Sequence, residues 1–193
     1  MSTYELVTPL KFEDVKKLYV GDVVYISGTV YTARDEAHAH ILGLDEAGEK
    51  LPIDLEGAVI YHCGPLMVQE KNDKWKAVAS GPTTSARMAK MTPKLLEKHN
   101  VRALIGKGGM QGVTKVLKDR CVYLAYTGGC AALAAGSIKK VRSVHWPQFG
   151  MPEAVWELEV ERFGPLVVGI DAHGNDLFEK VREQALKAFC QLR

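Results

Sequence analysis

Arginine, lysine and hydroxyl side chains placed beside glycines, at the ends of apolar runs, are the residues here best suited to chemistry. In Thr32-Ala33-Arg34-Asp35-Glu36-Ala37-His38, Arg34 follows a run rich in Val, Tyr, Ile and Thr. A guanidinium projecting from a strand end can grip a carboxylate through two parallel hydrogen bonds. His38, four residues later, falls on the same helical face as Arg34 and can exchange protons near neutral pH. Asp35 and Glu36 equally suit a solvated first helical turn, where acidic side chains complement the helix dipole.

A second group, Gly81-Pro82-Thr83-Thr84-Ser85-Ala86-Arg87, sets three hydroxyls and an arginine after a glycine–proline turn. Backbone amides, hydroxyls and a cation can converge there on an anion. Capping by Thr84 or Ser85, with Arg87 on the surface, is the plainer reading. Ile105-Gly106-Lys107-Gly108-Gly109-Met110 places a lysine between glycines, where little shields it from a ligand. The full spacing of a phosphate-binding loop is missing, which argues against nucleotide binding. Tyr126-Thr127-Gly128-Gly129-Cys130 repeats that shape without a cation and equally fits a tight helix-packing turn. Two arginines, a lysine and a threonine cluster sharing one rim suit a ligand with two carboxylates.

The elements that must position these groups can be read from composition and spacing. Asp22–Thr32 is a strand with Gly28 as a candidate bulge, followed by a helix over Ala33–Leu44. Strands are expected at Ala58–Cys63 and Trp75–Ser80, with a hairpin-like polar turn at Glu70–Lys74. Helices are expected from Thr84 or Ser85 to about Met91, and over Pro93–His99. Val101–Gly106 and Cys121–Tyr126 are strands, each ending in glycines and leading into a helix, at about 112–119 and at Cys130–Ala135. Two such units in succession imply parallel strands whose carboxyl ends gather ligands. Val141–Trp146 and Leu166–Asp171 can add strands, and Leu177–Phe189 an amphipathic helix.

At 193 residues the chain suits one α/β domain, 1–193. A net charge of +2 leaves no broad electrostatic footprint for nucleic acid. The amino terminus lacks the pattern of a secretory signal, and no apolar stretch approaches a membrane span, so a cytoplasmic protein is expected. Cys63, Cys121, Cys130 and Cys190 show none of the short paired spacings of zinc or cluster sites. No metal is therefore assigned to this chain, and each cysteine reads as a buried apolar residue or a free thiol.

Taken in order, these motifs carry a resemblance. They are Gly21–Thr29, Arg34-Asp35 with His38, Gly64-Pro65, Gly81–Met88, Gly106–Met110, Gly150-Met151-Pro152-Glu153-Ala154 and Ile170–Asn175. Over about residues 5–180 the chain resembles the β subunit of class I fumarases and L(+)-tartrate dehydratases. That region is equivalent to the carboxyl-terminal part of single-chain class I fumarases. The resemblance implies a swivelling β/β/α domain with a mixed sheet and flanking helices. It implies a partner α subunit whose cysteines carry a [4Fe–4S] cluster, so that the site is completed between subunits and no cofactor is bound here.

The implied reaction is hydration of fumarate to malate, with L(+)-tartrate dehydration as the alternative. Matched by position, Arg34, Thr83, Arg87 and Lys107 are substrate-binding residues, and Thr83 corresponds to a threonine proposed as catalytic base. His38 falls where the family tends to place an active-site histidine, a competing assignment. Asp35 is placed to hold Arg34 or His38. Without its partner the chain is expected to be inactive and could self-associate. A non-catalytic dicarboxylate-binding module is the reading from another class.

Overall fold

In the computed structural model, which describes residues 1–71 and 74–191, the first half runs β1 (Thr3–Val7), α1 (Phe12–Lys16), β2 (Val23–Thr32), α2 (Asp35–Ala47), β3 (Val59–Tyr61), β4 (Leu66–Gln69), β5 (Trp75–Ala79) and α3 (Thr92–Lys98). The second half runs β6 (Ala103–Gly106), α4 (Thr114–Leu117), β7 (Val122–Ala125), α5 (Ala131–Gly136), β8 (Ile138–His145), β9 (Val155–Ile170) and α6 (Leu177–Gln191). The tip of the expected 70–74 turn, residues 72 and 73, lies outside the described residues. β4 and β5 on either side of it pair antiparallel.

Alternation along the central strands builds two cores. Tyr61, Ile105 and Leu124 fall in one buried cluster, while their neighbours Ile60, Leu104 and Tyr123 fall in the other. Successive strand side chains point to opposite faces, so each short strand serves both cores. Both faces are covered, and all four residues of β6 are buried. That explains the unbroken apolar runs.

β2, β3, β6 and β7 run parallel, as the glycine-ended strand–helix units imply. The sheet does not stay open, however. β9 runs antiparallel beside β7 and also beside β2, which closes β2-β3-β6-β7-β9 on itself. Register shifts along β2 and β9 bend both strands, so β2 also pairs β1 and β9 also pairs β8. α2 and α3 pack on each other outside this closed sheet.

Several expected elements differ in extent. The segment after Gly81-Pro82 forms only a short 3-10 turn, Ser85–Met88, and the helix expected over 112–119 is the single turn α4. Neither Thr84 nor Ser85 caps a helix. The strand expected at Leu166–Asp171 is the last third of the 16-residue β9. No helix among the described residues is long and apolar enough to cross a membrane.

Antiparallel β9 carries its two flanking motifs to opposite ends of the sheet. Its amino end brings Gly150–Ala154 to the carboxyl end of β2, because Tyr31 pairs Glu157 and the Trp156 N–H donates to Thr32 Oγ1 at 3.0 Å. Its carboxyl end places Ile170–Asn175 at the far end. There the buried Asp171 carboxylate accepts from the N–H groups of Val20, His173 and Asn175 and from Asn175 Nδ2. Asp171 is thus a structural hub. Asp171→Ala leaves those donors without an acceptor and is expected to cost about 3 kcal/mol of stability. A urea titration checks this, and a change within roughly 0.5 kcal/mol, the scale of an ordinary surface substitution, contradicts it.

Candidate active site

The sequence-predicted cations are carried at or next to the carboxyl ends of the parallel strands. Beyond His62, whose N–H still donates to the Ile105 carbonyl at 2.8 Å, β3 and β6 part and the chain at 82–85 fills the gap. Cys63 bridges Pro82 antiparallel and Thr84 bridges Lys107 in parallel. Thr83 N–H donates to the His62 carbonyl at 2.7 Å, Lys107 N–H to the Thr83 carbonyl at 3.1 Å, and Ser85 N–H to the Lys107 carbonyl at 3.1 Å. Thr84 is therefore the ladder neighbour of Lys107, and Thr83 joins it through its carbonyl. Tyr61 fixes the loop from below, its hydroxyl donating to the Ser80 carbonyl at 2.6 Å.

Gly106 makes this junction possible. A Cβ there would collide with Ser85 Oγ and lie 3.1 Å from His62 Nδ1. Without it, Ser85 Oγ sits 2.8 Å from His62 Nδ1, and the Tyr123 hydroxyl sits 3.1 Å from Ser85 Oγ and 2.7 Å from the Gly108 carbonyl. The triple hydroxyl run is thus divided: Ser85 is buried in this network, while Thr83 and Thr84 stay at the rim. The Lys107 stem leans towards the next glycine loop, 3.6 Å from where a Gly128 Cβ would be. Among the described residues, no ion pair involving Lys107 is found.

Arg34 stands where β2 turns into α2. Its Nε lies 3.0 Å from Glu153 Oε1, a charge contact rather than an aligned hydrogen bond. Its Nη1 crosses the Gly64 backbone, only 2.6 Å from where a Cβ would stand. Any larger residue at Gly64 would displace the guanidinium or the Pro152 carbonyl. Arg87, on the 3-10 turn, pairs with Asp35 at 2.8 Å. Of its two expected partners, Asp35 does not pair with Arg34, and towards His38 it acts only as a nearby charge. It joins α2 to the turn carrying Arg87, because that turn folds back across the helix start.

His38 also departs from its expected setting. It has no exposed surface, so it does not share an accessible face with Arg34. α2 turns this face inward, and His38 Nδ1 lies 2.8 Å from the Arg34 carbonyl. A carbonyl accepts only, so Nδ1 carries the proton and Nε2 is left bare. Burial pushes the His38 pKa down, opposed by the bond to the Arg34 carbonyl and more weakly by Asp35. His62, buried beside it with ring centroids 5.3 Å apart, is pushed down further by burial and then by the proximity of His38. Two neutral imidazoles thus lie beneath the cationic rim.

Glu153, His62 and Tyr123 escaped the sequence reading as site residues, and Ser85, singled out there with the other hydroxyls, is instead buried. His62 carried a signal, being a polar residue at the end of an apolar strand just before Gly64-Pro65. Glu153 carried none beyond its motif, because its pairing depends on the closure of β9 against β2.

The chain's own donors do not fit an iron–sulfur cluster. Cys63 and Cys121 are buried, and burial pushes both thiols up to about 12. Cys130 Sγ donates to the Thr127 carbonyl at 2.6 Å, and Cys190 stands exposed on α6. Among the described residues, no three His, Cys, Asp or Glu side chains gather as a metal site. The rim offers cations and hydroxyls. A concavity of about 510 Å³ lies away from it, lined by Phe12, Tyr31 and Arg102, and a smaller one beside it is lined by Ala86, Gly109 and Phe178.

Comparison with known proteins extends along nearly the whole chain. A family profile described as Fumarase C-terminus matches residues 2–181. A Methanocaldococcus jannaschii protein, provisionally named L(+)-tartrate dehydratase subunit beta, is 50% identical over 93% of each chain. L(+)-tartrate dehydratase subunit beta of Escherichia coli strain K12 is 39% identical, over 96% of this chain and 95% of that one. A Geobacillus stearothermophilus protein, provisionally named fumarate hydratase class I, is 40% identical over 97% of this chain but only 36% of its own length.

Proposed function

The chain belongs to the fumarase C-terminus family, and from that premise we propose that it is the β subunit of a hydro-lyase that hydrates fumarate to malate together with an α subunit. The observation that supports this reading is the placement of Arg34, Thr83, Arg87 and Lys107 at or next to the carboxyl ends of neighbouring parallel strands. Coverage supports the need for a partner. The chain spans almost all of two proteins named as β subunits but about a third of the fumarase-type relative.

The rim's chemistry follows from its charges. A C4 dicarboxylate brings two negative charges, and Arg34, Arg87 and Lys107 offer three positive ones, partly offset by Glu153 and Asp35. Removing a proton beside a carboxylate places further charge on that group in the transition state. Cations already fixed on strand ends stabilise that charge without reorganising. Thr83 is the base this reading favours. Its backbone is locked on both sides, and its hydroxyl would act as a base where the Arg87 and Lys107 cations favour its alkoxide form. His38, buried and bonded to the Arg34 carbonyl, instead supports Arg34 from behind. A [4Fe–4S] cluster carried by the α subunit would supply a Lewis acid for the substrate hydroxyl.

A second substrate has specific support: the two relatives described above that match over 93% and 95% of their own length are named for L(+)-tartrate. One experiment separates the readings. The chain is combined anaerobically with its α subunit, and malate, fumarate and L(+)-tartrate turnover are compared. Fumarate–malate turnover is expected, with none from the isolated chain. Turnover of L(+)-tartrate alone would transfer the assignment to tartrate dehydratase. A chain that binds dicarboxylate tightly but never associates with an α subunit would be a binding module instead.

A further inference from the structure

We propose that Glu153 is a positioning residue that presets the Arg34 guanidinium for one end of the dicarboxylate; this rests on the hydro-lyase reading above. The Arg34 and Glu153 side chains are about four-fifths buried, at 21% and 18% exposed, so solvent screens their 3.0 Å contact only weakly. The second carboxylate oxygen, Oε2, accepts from the Glu36 N–H at 3.1 Å. One side chain thereby ties the guanidinium to the first turn of its own helix.

Glu153 is itself held against β2. The Trp156 indole N–H donates to the Met151 carbonyl at 2.9 Å, and the Ala154 N–H donates to the Gly150 carbonyl at 2.9 Å. Thr32, two residues before Arg34, accepts from the Trp156 N–H at 3.0 Å. The loop carrying the carboxylate and the strand end carrying the guanidinium are thus one connected unit. A side chain with arginine's torsional freedom loses less entropy on binding when its orientation is already set.

The chosen atom matters. Contact through Nε leaves both terminal nitrogens for a ligand, with Nη1 lying across Gly64, where no side chain stands in its way. A substrate carboxylate would then be gripped end-on by the Nη1–Nη2 fork. Asp35 does not duplicate this role, because it pairs with Arg87.

The test uses the α–β complex with Glu153→Ala and Glu153→Gln. Gln keeps the shape and one acceptor, whereas Ala frees the guanidinium. E153A is expected to raise KM about tenfold and lower kcat by a similar factor, because a misplaced binding group degrades the reacting geometry. E153Q, which keeps the shape but loses the charge and one acceptor, is expected to lie between E153A and wild type, and both variants should unfold near the wild-type temperature. The Arg34 Nε–H resonance of the isolated chain, read by NMR, should exchange slowly in wild type and E153Q and rapidly in E153A. An active wild-type complex with E153A kinetics unchanged overturns this inference alone. A wild-type complex without turnover of any C4 dicarboxylate overturns the functional reading and this inference with it. Equal loss in E153A and E153Q, with Arg34 Nε–H exchange unaltered, makes Glu153 merely structural.

Discussion

Lys107→Ala is expected to lower kcat of the assembled complex by about 10²–10³, the usual cost of deleting one fixed transition-state donor. Arg87→Ala should cost less. The difference follows from how each charge is compensated. Arg87 is already paired with Asp35 at 2.8 Å and is half-exposed, so part of its field is spent within the protein. Lys107 is half-buried, follows the buried Gly106, and makes no ion pair among the described residues. Its charge is therefore the one most fully available to a bound dianion. Folding should be little affected, because the contacts that lock residue 107 in the ladder are backbone ones, which alanine keeps. Steady-state kinetics and thermal unfolding of wild type, K107A and R87A decide this. Turnover of K107A within a factor of three of wild type would remove Lys107 from the site.

Why Lys107 could be found from the sequence, and Glu153 could not, is a matter of range. The strand before Lys107 is buried on both faces and apolar throughout, and Lys-Gly-Gly follows immediately, so burial and exposure change within two residues. Arg34 was legible for the same reason, at the end of a β-branched run. The position of Arg87 was legible, but its partner was not. Asp35 and Arg87 are 52 positions apart in numbering and meet only because the 82–85 segment wedges between β3 and β6.

Closure of the sheet was invisible because of how β9 is written. Within Val155–Ile170, Glu157, Glu159, Glu161 and Arg162 interrupt the apolar residues, and only the last third reads as a continuous run. Glu157, Glu159 and Glu161 alternate outwards from the closed sheet, and Arg162, at a positive φ, breaks the alternation. β1 was missed because its five residues expose all but Leu6 and part of Tyr4. His38 was misread because helical spacing puts it beside Arg34 but does not say which face of the helix turns inward.

Lowering the pH from 7 to 5 is expected to reduce unfolding free energy by roughly 2 kcal/mol for each of the two buried histidines, for as long as its ring stays neutral in the fold. Both rings have folded-state pKa values depressed by burial. In the unfolded chain they titrate near the ordinary value of about 6.5. Below that value the unfolded state binds protons that the folded state refuses, so stability falls with falling pH. The slope approaches about 1.4 kcal/mol per pH unit per ring. It persists further for His62, whose depression is the greater, and flattens once the pH passes through each folded value.

This acid sensitivity reaches the site. The His62 carbonyl accepts the Thr83 N–H, its ring meets Ser85, and the His38 ring holds the Arg34 carbonyl. Protonating either ring would charge a buried pair and loosen the segments that carry Thr83 and Arg34. Urea titrations at several pH values give the slope directly, and His62→Gln should remove one ring's share of it. A stability change below roughly 1 kcal/mol across this interval would mean the imidazoles are not held neutral, since even one such ring predicts more. The rim would then stand on something other than two uncharged rings.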